Sequence, residues 1–221
     1  MKRNTILFAL TLLLAACGGN PQKVAEQASE QLKTDNRPAF SPEYAFEVKF
    51  AEYPKGKKMA YIEAGKGDTA IVFVHGLGGY LKHWEPVVQR LQDRYRCIAV
   101  DLPGYGRSDR DYFGSDDFME LYAEAVLHLA GQKGLKSFVL AGHSMGAQVA
   151  MVTALKAPDA VAALVLAAPA GFETFSTMEG MGMKSFATAE FFQQQTEEEI
   201  RQSFAANFYQ LPAEAEQLIQ E

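Results

Sequence analysis

The stretch at residues 137–147, Ser-Phe-Val-Leu-Ala-Gly-His-Ser-Met-Gly-Ala, constrains the fold more than any other part of this chain. A short apolar run leads into a G-x-S-x-G turn, and an apolar pattern with helical spacing then continues to about Leu155. A strand that turns this sharply into a helix leaves little room at the corner, so the positions two before and two after the serine must be small. Gly142 and Gly146 meet that demand. The corner lifts the Ser144 hydroxyl off the end of a sheet and aims the first free amides of the following helix beside it, which is how a weak nucleophile is presented to a carbonyl carbon.

The rest of the chain supplies the sheet. Residues 69–74 and 162–168 are continuously apolar, as strands buried on both faces should be, and residues 96–100 read as another strand. Residues 45–50 and 59–64 alternate apolar and polar around a turn-rich Pro54-Lys-Gly-Lys, which predicts a half-exposed hairpin. Helical patterns fall between the strands: one from His83 and Trp84 to Leu91, one over 116–132 with Ser115 or Asp116 as cap, and one after Ser144. Strand and helix in alternation give an α/β fold, a mostly parallel sheet wound by right-handed crossovers with helices on both faces. The 221 residues suffice for one such core and not for two domains.

Two glycine-rich loops follow strands. His75-Gly76-Leu77-Gly78-Gly79 lets the backbone pass close to a ligand with its amides pointing inward, the demand of an oxyanion hole. It matches neither G-x-x-x-x-G-K-[ST] nor a G-x-G-x-x-G opening into a helix, which disfavours a phosphate cradle. Asp101-Leu-Pro-Gly-Tyr-Gly-Arg-Ser-Asp109 is the second. Asp101 reads as a residue that ties this loop down through backbone amides, with a catalytic acid as the alternative. His128, within a helix, reads as a surface or packing residue.

The ends of the chain differ in texture. Met1-Lys2-Arg3, an apolar run over 6–16 too short to span a bilayer, and small residues before Cys17 form an export signal at 1–16. Leu14-Ala-Ala-Cys17 resembles a bacterial lipoprotein box, which implies a lipidated Cys17, membrane attachment through that anchor, and, with glycine at 18, a place on the outer membrane facing the periplasm. Residues 17–43 are a polar tether and the core spans 44–171. Residues 172–221, with Met178, Met181 and Met183 and a capped helix opening at Thr196, form either part of a helical lid or plain helical packing. Cys97, in an apolar strand, is expected to be a buried small hydrophobe, with no metal or disulfide role. The net charge of -6 and the absence of a basic patch exclude nucleic acid as a partner.

Three ordered motifs, His75-Gly-Leu-Gly-Gly, Asp101 to Asp109, and Gly142-His-Ser-Met-Gly146, make the chain similar to the α/β-hydrolase superfamily, in its serine esterase and lipase-like branch, from about Tyr44 to Gly171. The resemblance implies that Ser144 is the nucleophile, that the backbone amides of Leu77 and Met145 form the oxyanion hole, and that Gly142, His143, Gly146, His75, Gly76 and Gly78 support elbow and loop. It also implies that Trp84 lines the acyl pocket, that the substrate is a small acyl compound cleaved at an ester, thioester or carbon–carbon bond, and that no cofactor is used. The family takes its acid and its histidine base after the serine in chain order. The four histidines here are at 75, 83, 128 and 143, so the base and the last strands are expected to lie outside this chain, which then reads as a truncated hydrolase. Glu173 could serve as an acid in a variant arrangement. The other reading is a lipid-anchored binding protein that kept the scaffold without catalysis.

Overall fold

In a computed structural model the described residues are 42–53, 56–109, 118–174, 176–179 and 196–205. Six strands form one sheet: β1 (Lys49–Tyr53), β2 (Lys57–Ala64), β3 (Ala70–Val74), β4 (Arg96–Val100), β5 (Phe138–His143) and β6 (Val161–Ala167). The helices are α1 (Glu85–Leu91), α2 (Phe118–Gln132), α3 (Met145–Lys156) and α4 (Glu197–Ala205), with a 3-10 turn at Leu81–Trp84.

The sheet order is β1-β2-β4-β3-β5-β6. β4, β3, β5 and β6 run parallel, while β1 and β2 form an antiparallel hairpin whose second strand joins β4 antiparallel. β3 lies at the centre and is buried at all five positions. Its pleat sends Val72 and Val74 to one face, packed with residues of α2 and α3 such as Tyr122, Val126 and Val149. Ile71 and Phe73 go to the other face, against Leu81 and Val88 of the 3-10 turn and α1. Each fully buried side chain of this size contributes ~1.5–3 kcal/mol, which is why an unbroken apolar run makes a central strand. Cys97 is a free, buried thiol on the α1 face of β4.

The hairpin is shifted from its sequence expectation. Its first strand occupies 49–53 instead of 45–50, because residues 42–48 run over the edges of other elements: the Ala45 amide donates to the buried Glu85 carboxylate, 2.7 Å away, and Phe46 and Val48 pack on the α1 face. The alternation there is real but serves a packed strap, not a ladder. α4 carries the expected cap, with the Glu199 amide donating to Thr196 Oγ1 and the Thr196 amide donating to Glu199.

β6 is the outer strand among the described residues, and Leu164 (37% exposed) and Val165 (55%) face solvent. A strand so apolar on both faces is unusual at an edge. The expected signal peptide, Cys17, nearly all of the tether, the Ser115 and Asp116 caps, and most of residues 172–221, Met181 and Met183 included, lie outside the described residues. No helix among the described residues is long and apolar enough to cross a membrane.

Candidate active site

The corner between β5 and α3 is built as its glycines require. A Cβ on Gly142 would collide with the backbone of Gly146 and Ala147, and one on Gly146 would collide with the carbonyl oxygens of Val74 and His75. Helix α3 therefore starts in contact with the end of β3. Ser144 between them has φ 53° and ψ −120°, a backbone conformation that side chains other than hydrogen rarely adopt. The conformation is held from both sides. The Ser144 amide donates to Ala167 of β6 (3.0 Å), and the Ser144 carbonyl accepts from Ala147 (3.0 Å), Gln148 (3.2 Å) and Ala170 (3.2 Å).

The first glycine loop lies directly against this corner. A Cβ on Gly76 would sit 3.2 Å from Cβ of Ser144 and 3.0 Å from Nδ1 of His143, so a larger residue would have to push these neighbours back. Leu77 follows, its side chain 42% exposed, and Gly78 turns the chain with φ 71°. A hydrogen bond from the Gly79 amide to the Gly76 carbonyl (3.0 Å) closes the turn. Among the turn and cap hydrogen bonds of the described residues, neither the Leu77 nor the Met145 amide donates to a backbone carbonyl. Met145 opens α3, so its amide is one of the orphan donors of a helix N-terminus and lies at the positive end of the helix dipole. Both are donors with capacity to spare, Met145 next to Ser144 in the chain and Leu77 next to the glycine packed against it.

His75 fixes the other side of the loop. Its Nε2 accepts the Leu102 amide (3.0 Å), which can only donate, so Nδ1 carries the proton and donates to the Gly76 carbonyl at 2.8 Å. The ring is neutral: burial lowers its pKa to about 3, although the Gly76 carbonyl pulls the other way. With both nitrogens engaged, His75 is a pin between loops and has no site left to receive a proton from Ser144. His128, exposed on α2, contacts Gln132 through Nε2. His83, on the 3-10 turn, packs its ring on Tyr80, and His143 ends β5 with an exposed side chain opposite Ala167.

Asp101, wholly buried at the end of β4, ties down its loop as the sequence suggested and reaches further. Oδ1 accepts the Leu81 amide (2.7 Å), and Oδ2 accepts both the Arg107 amide (2.9 Å) and the Tyr44 hydroxyl (2.6 Å). Its backbone carbonyl accepts from Ser108 Oγ (2.6 Å), which in turn accepts the Ala60 amide of β2 at 2.8 Å. Burial raises the Asp101 pKa to about 6, against the pull of the Leu81, Tyr44 and Arg107 donors. Tyr44, Glu85 and Ser108 have no local sequence signature for these roles; only the Asp101 to Asp109 motif hinted that something converges here.

Trp84 packs its ring against Phe73 at 5.1 Å, in the cluster between the sheet and α1. Its indole nitrogen is buried without a partner among the described residues. Tyr105 lies edge-on to His75 (4.9 Å) and points its hydroxyl at the Met145 sulfur, 3.9 Å away. Glu173, exposed, accepts the Gly171 amide at 3.1 Å. No cluster of potential metal ligands occurs among the described residues.

Ser144 thus stands on a strained strand-to-helix corner with the first glycine loop packed against it. The chain belongs to the alpha/beta hydrolase fold family, whose model matches residues 69–217. It is 36% identical over 135 residues to a pimeloyl-[acyl-carrier protein] methyl ester esterase of Aliivibrio salmonicida, covering 61% of this chain and 48% of that one. It is 34% identical over 117 residues to the dihydrolipoyllysine-residue acetyltransferase component of the acetoin cleaving system of Cupriavidus necator, covering 53% of this chain and 31% of that one. Among solved structures, a probable hydrolytic enzyme of Pseudomonas aeruginosa superposes with a TM-score of 0.66 at 26% identity, covering 80% of this chain and 60% of that one. The chain thus spans about a third to a half of these curated relatives.

Proposed function

We propose that this chain carries the nucleophilic half of a serine acyl hydrolase acting on small esters, thioesters or related acyl compounds. The observation that carries the reading is the conformation of Ser144 at φ 53°, with Gly76 packed against it and α3 starting at the next residue. In the reaction, Oγ of Ser144 attacks the acyl carbonyl carbon while its proton passes to a base. The carbonyl oxygen takes the negative charge and is held by the Leu77 and Met145 amides. Collapse expels the alcohol, thiol or carbon leaving group with that proton and leaves an ester on Ser144; water then adds to the ester and releases the acid. Loss of one oxyanion donor typically costs ~10²–10³ in rate, so the backbone path at residues 76–78 matters to the rate alongside the hydroxyl.

His75 is neutral and doubly engaged and cannot be the base; this reading takes the base and the carboxylate that orients it from beyond the described elements. Trp84 stands as a wall of the acyl pocket in this reading. The likeness to a methyl ester esterase supports the ester choice. Lipidation of Cys17 and attachment to the outer membrane, facing the periplasm, belong to the same proposal and rest on the N-terminal sequence. The test is labelling with a fluorophosphonate, with and without added imidazole as a substitute base, followed by peptide mapping. The expected result is a single adduct on Ser144 that forms faster with imidazole. An unlabelled Ser144 under both conditions would favour the other reading, a hydrolase-fold binding protein, which the engaged state of His75 already keeps in view.

A further inference from the structure

Residues 42–45, just ahead of the sheet, are fastened to three separate elements near the oxyanion loop. The Tyr44 hydroxyl donates to Asp101 Oδ2 at 2.6 Å, and the tyrosine ring lies edge-on to Tyr80, 6.1 Å between centroids. The Arg107 guanidinium sits over the Tyr44 ring (5.3 Å), and its Nε donates to the Pro42 carbonyl at 3.0 Å. The Ala45 amide donates to Glu85 Oε1 at 2.7 Å, and Glu85, at the start of α1, is buried. Asp101 is shared: the carboxylate that receives Tyr44 also receives the amide of Leu81, which opens the 3-10 turn two residues past the glycine loop.

The loop is thus pinned at both ends by buried acceptors. At its start His75 joins Gly76 to Leu102. At its end Asp101 holds Leu81, and nothing else in the described structure gives that carboxylate a hydroxyl donor. A carboxylate this deeply buried is stabilised only by its donors, and charge-assisted hydrogen bonds are the strong ones. Losing one of three weakens the grip of Asp101 on Leu81.

We propose that residues 42–45 form a strap that sets the oxyanion loop, with Tyr44 and Asp101 as positioning residues that place the Leu77 amide relative to Ser144. The proposal rests on the reading of Ser144 as an acyl nucleophile. Neither residue touches substrate; both act through the loop backbone. The strap also explains why residues 45–48 forgo the ladder their alternation would suit, since pairing them with the sheet would draw Tyr44 away from Asp101.

The experiment is Tyr44→Phe, which keeps the ring on Arg107 and Tyr80 and deletes one oxygen. Two readouts are taken: amide hydrogen exchange across residues 76–81, and the saturation kinetics of fluorophosphonate labelling in imidazole. The expected result is about fivefold faster exchange in residues 76–81 with β3 and β5 unchanged. The limiting labelling rate falls about tenfold while reversible reagent affinity holds, because the loop shifts and the pocket does not. A purely structural role would weaken the apparent reagent affinity or the labelled fraction and leave the limiting rate unchanged. Unchanged exchange in residues 76–81, or an increase spread evenly over the sheet, overturns the strap. If the parent chain is not labelled at all, the acyl reading fails while exchange still decides the strap. Should Tyr44→Phe not fold, Arg107→Gln loosens the strap from its exposed side, and about twofold faster exchange in the same residues is expected; no change there overturns the proposal equally.

Discussion

Replacing Ser144 with glycine should make the protein more stable, and replacing it with alanine should not. At φ 53° and ψ −120° any side chain with a Cβ sits in a sparsely allowed region, at a cost of ~1–3 kcal/mol that glycine does not incur. Against this, glycine gains freedom in the unfolded chain, worth ~0.4–1 kcal/mol. The Ser144 side chain makes no capping hydrogen bond to α3, so glycine forfeits no cap there. The balance for Ser144→Gly is about 1 kcal/mol of added stability, or ~2–4 °C in Tm for a domain of this size. Ser144→Ala keeps the strain and should lie within ~0.5 kcal/mol of the parent. Urea denaturation of the three proteins, with equal slopes, measures the difference. Alanine as stable as glycine at this position would show that the corner stores no strain, and the explanation given for its geometry would be wrong.

Other consequences are as direct. Gly146→Ala drives a methyl into the Val74 and His75 carbonyls, with backbone on both sides and nothing able to yield; a loss of ~3 kcal/mol or more is expected in the same denaturation assay. Asp101 has a folded pKa of about 6, above its unfolded value, so the folded state binds the extra proton between about pH 4 and 6. Its contribution is therefore present at low pH and lost as pH rises through 6, up to ~3 kcal/mol. The stability gap between the parent and Asp101→Asn should narrow across that window, and a gap that widens would reverse the sign. Cys17→Ser should move the protein from the membrane to the soluble fraction after cell breakage, and an unchanged membrane fraction would count against the anchor.

The parts of the fold legible in the sequence are those with a local physical cause. Residues 70–74 are continuously apolar because β3 is buried on both faces, and Gly142 and Gly146 are small because backbone carbonyls and helix turns lie where a Cβ would be. Asp101 was readable as a loop anchor because its amide partner Arg107 lies six residues on. Its bond to Tyr44 spans 57 residues and its bond to Leu81 spans 20, and no periodicity encodes either. The start of β1 was misplaced for the same reason. Phe46 and Val48 alternate as a strand does, but the Glu85 acceptor that takes the Ala45 amide lies 40 residues away. The Ser176-x-x-Glu179 cap does have a local signature: the Glu179 amide donates to Ser176 Oγ and the Ser176 amide to the Glu179 carboxylate.

The account stands on Ser144 lying where two backbone amides can receive negative charge. A crystal structure of the protein after reaction with a small fluorophosphonate tests this most directly. The account predicts phosphorus bonded to Ser144 Oγ, with one phosphonyl oxygen about 2.7–3.1 Å from both the Leu77 and Met145 nitrogens. A phosphonyl oxygen turned to solvent, or an adduct on another residue with Ser144 unmodified, would contradict it.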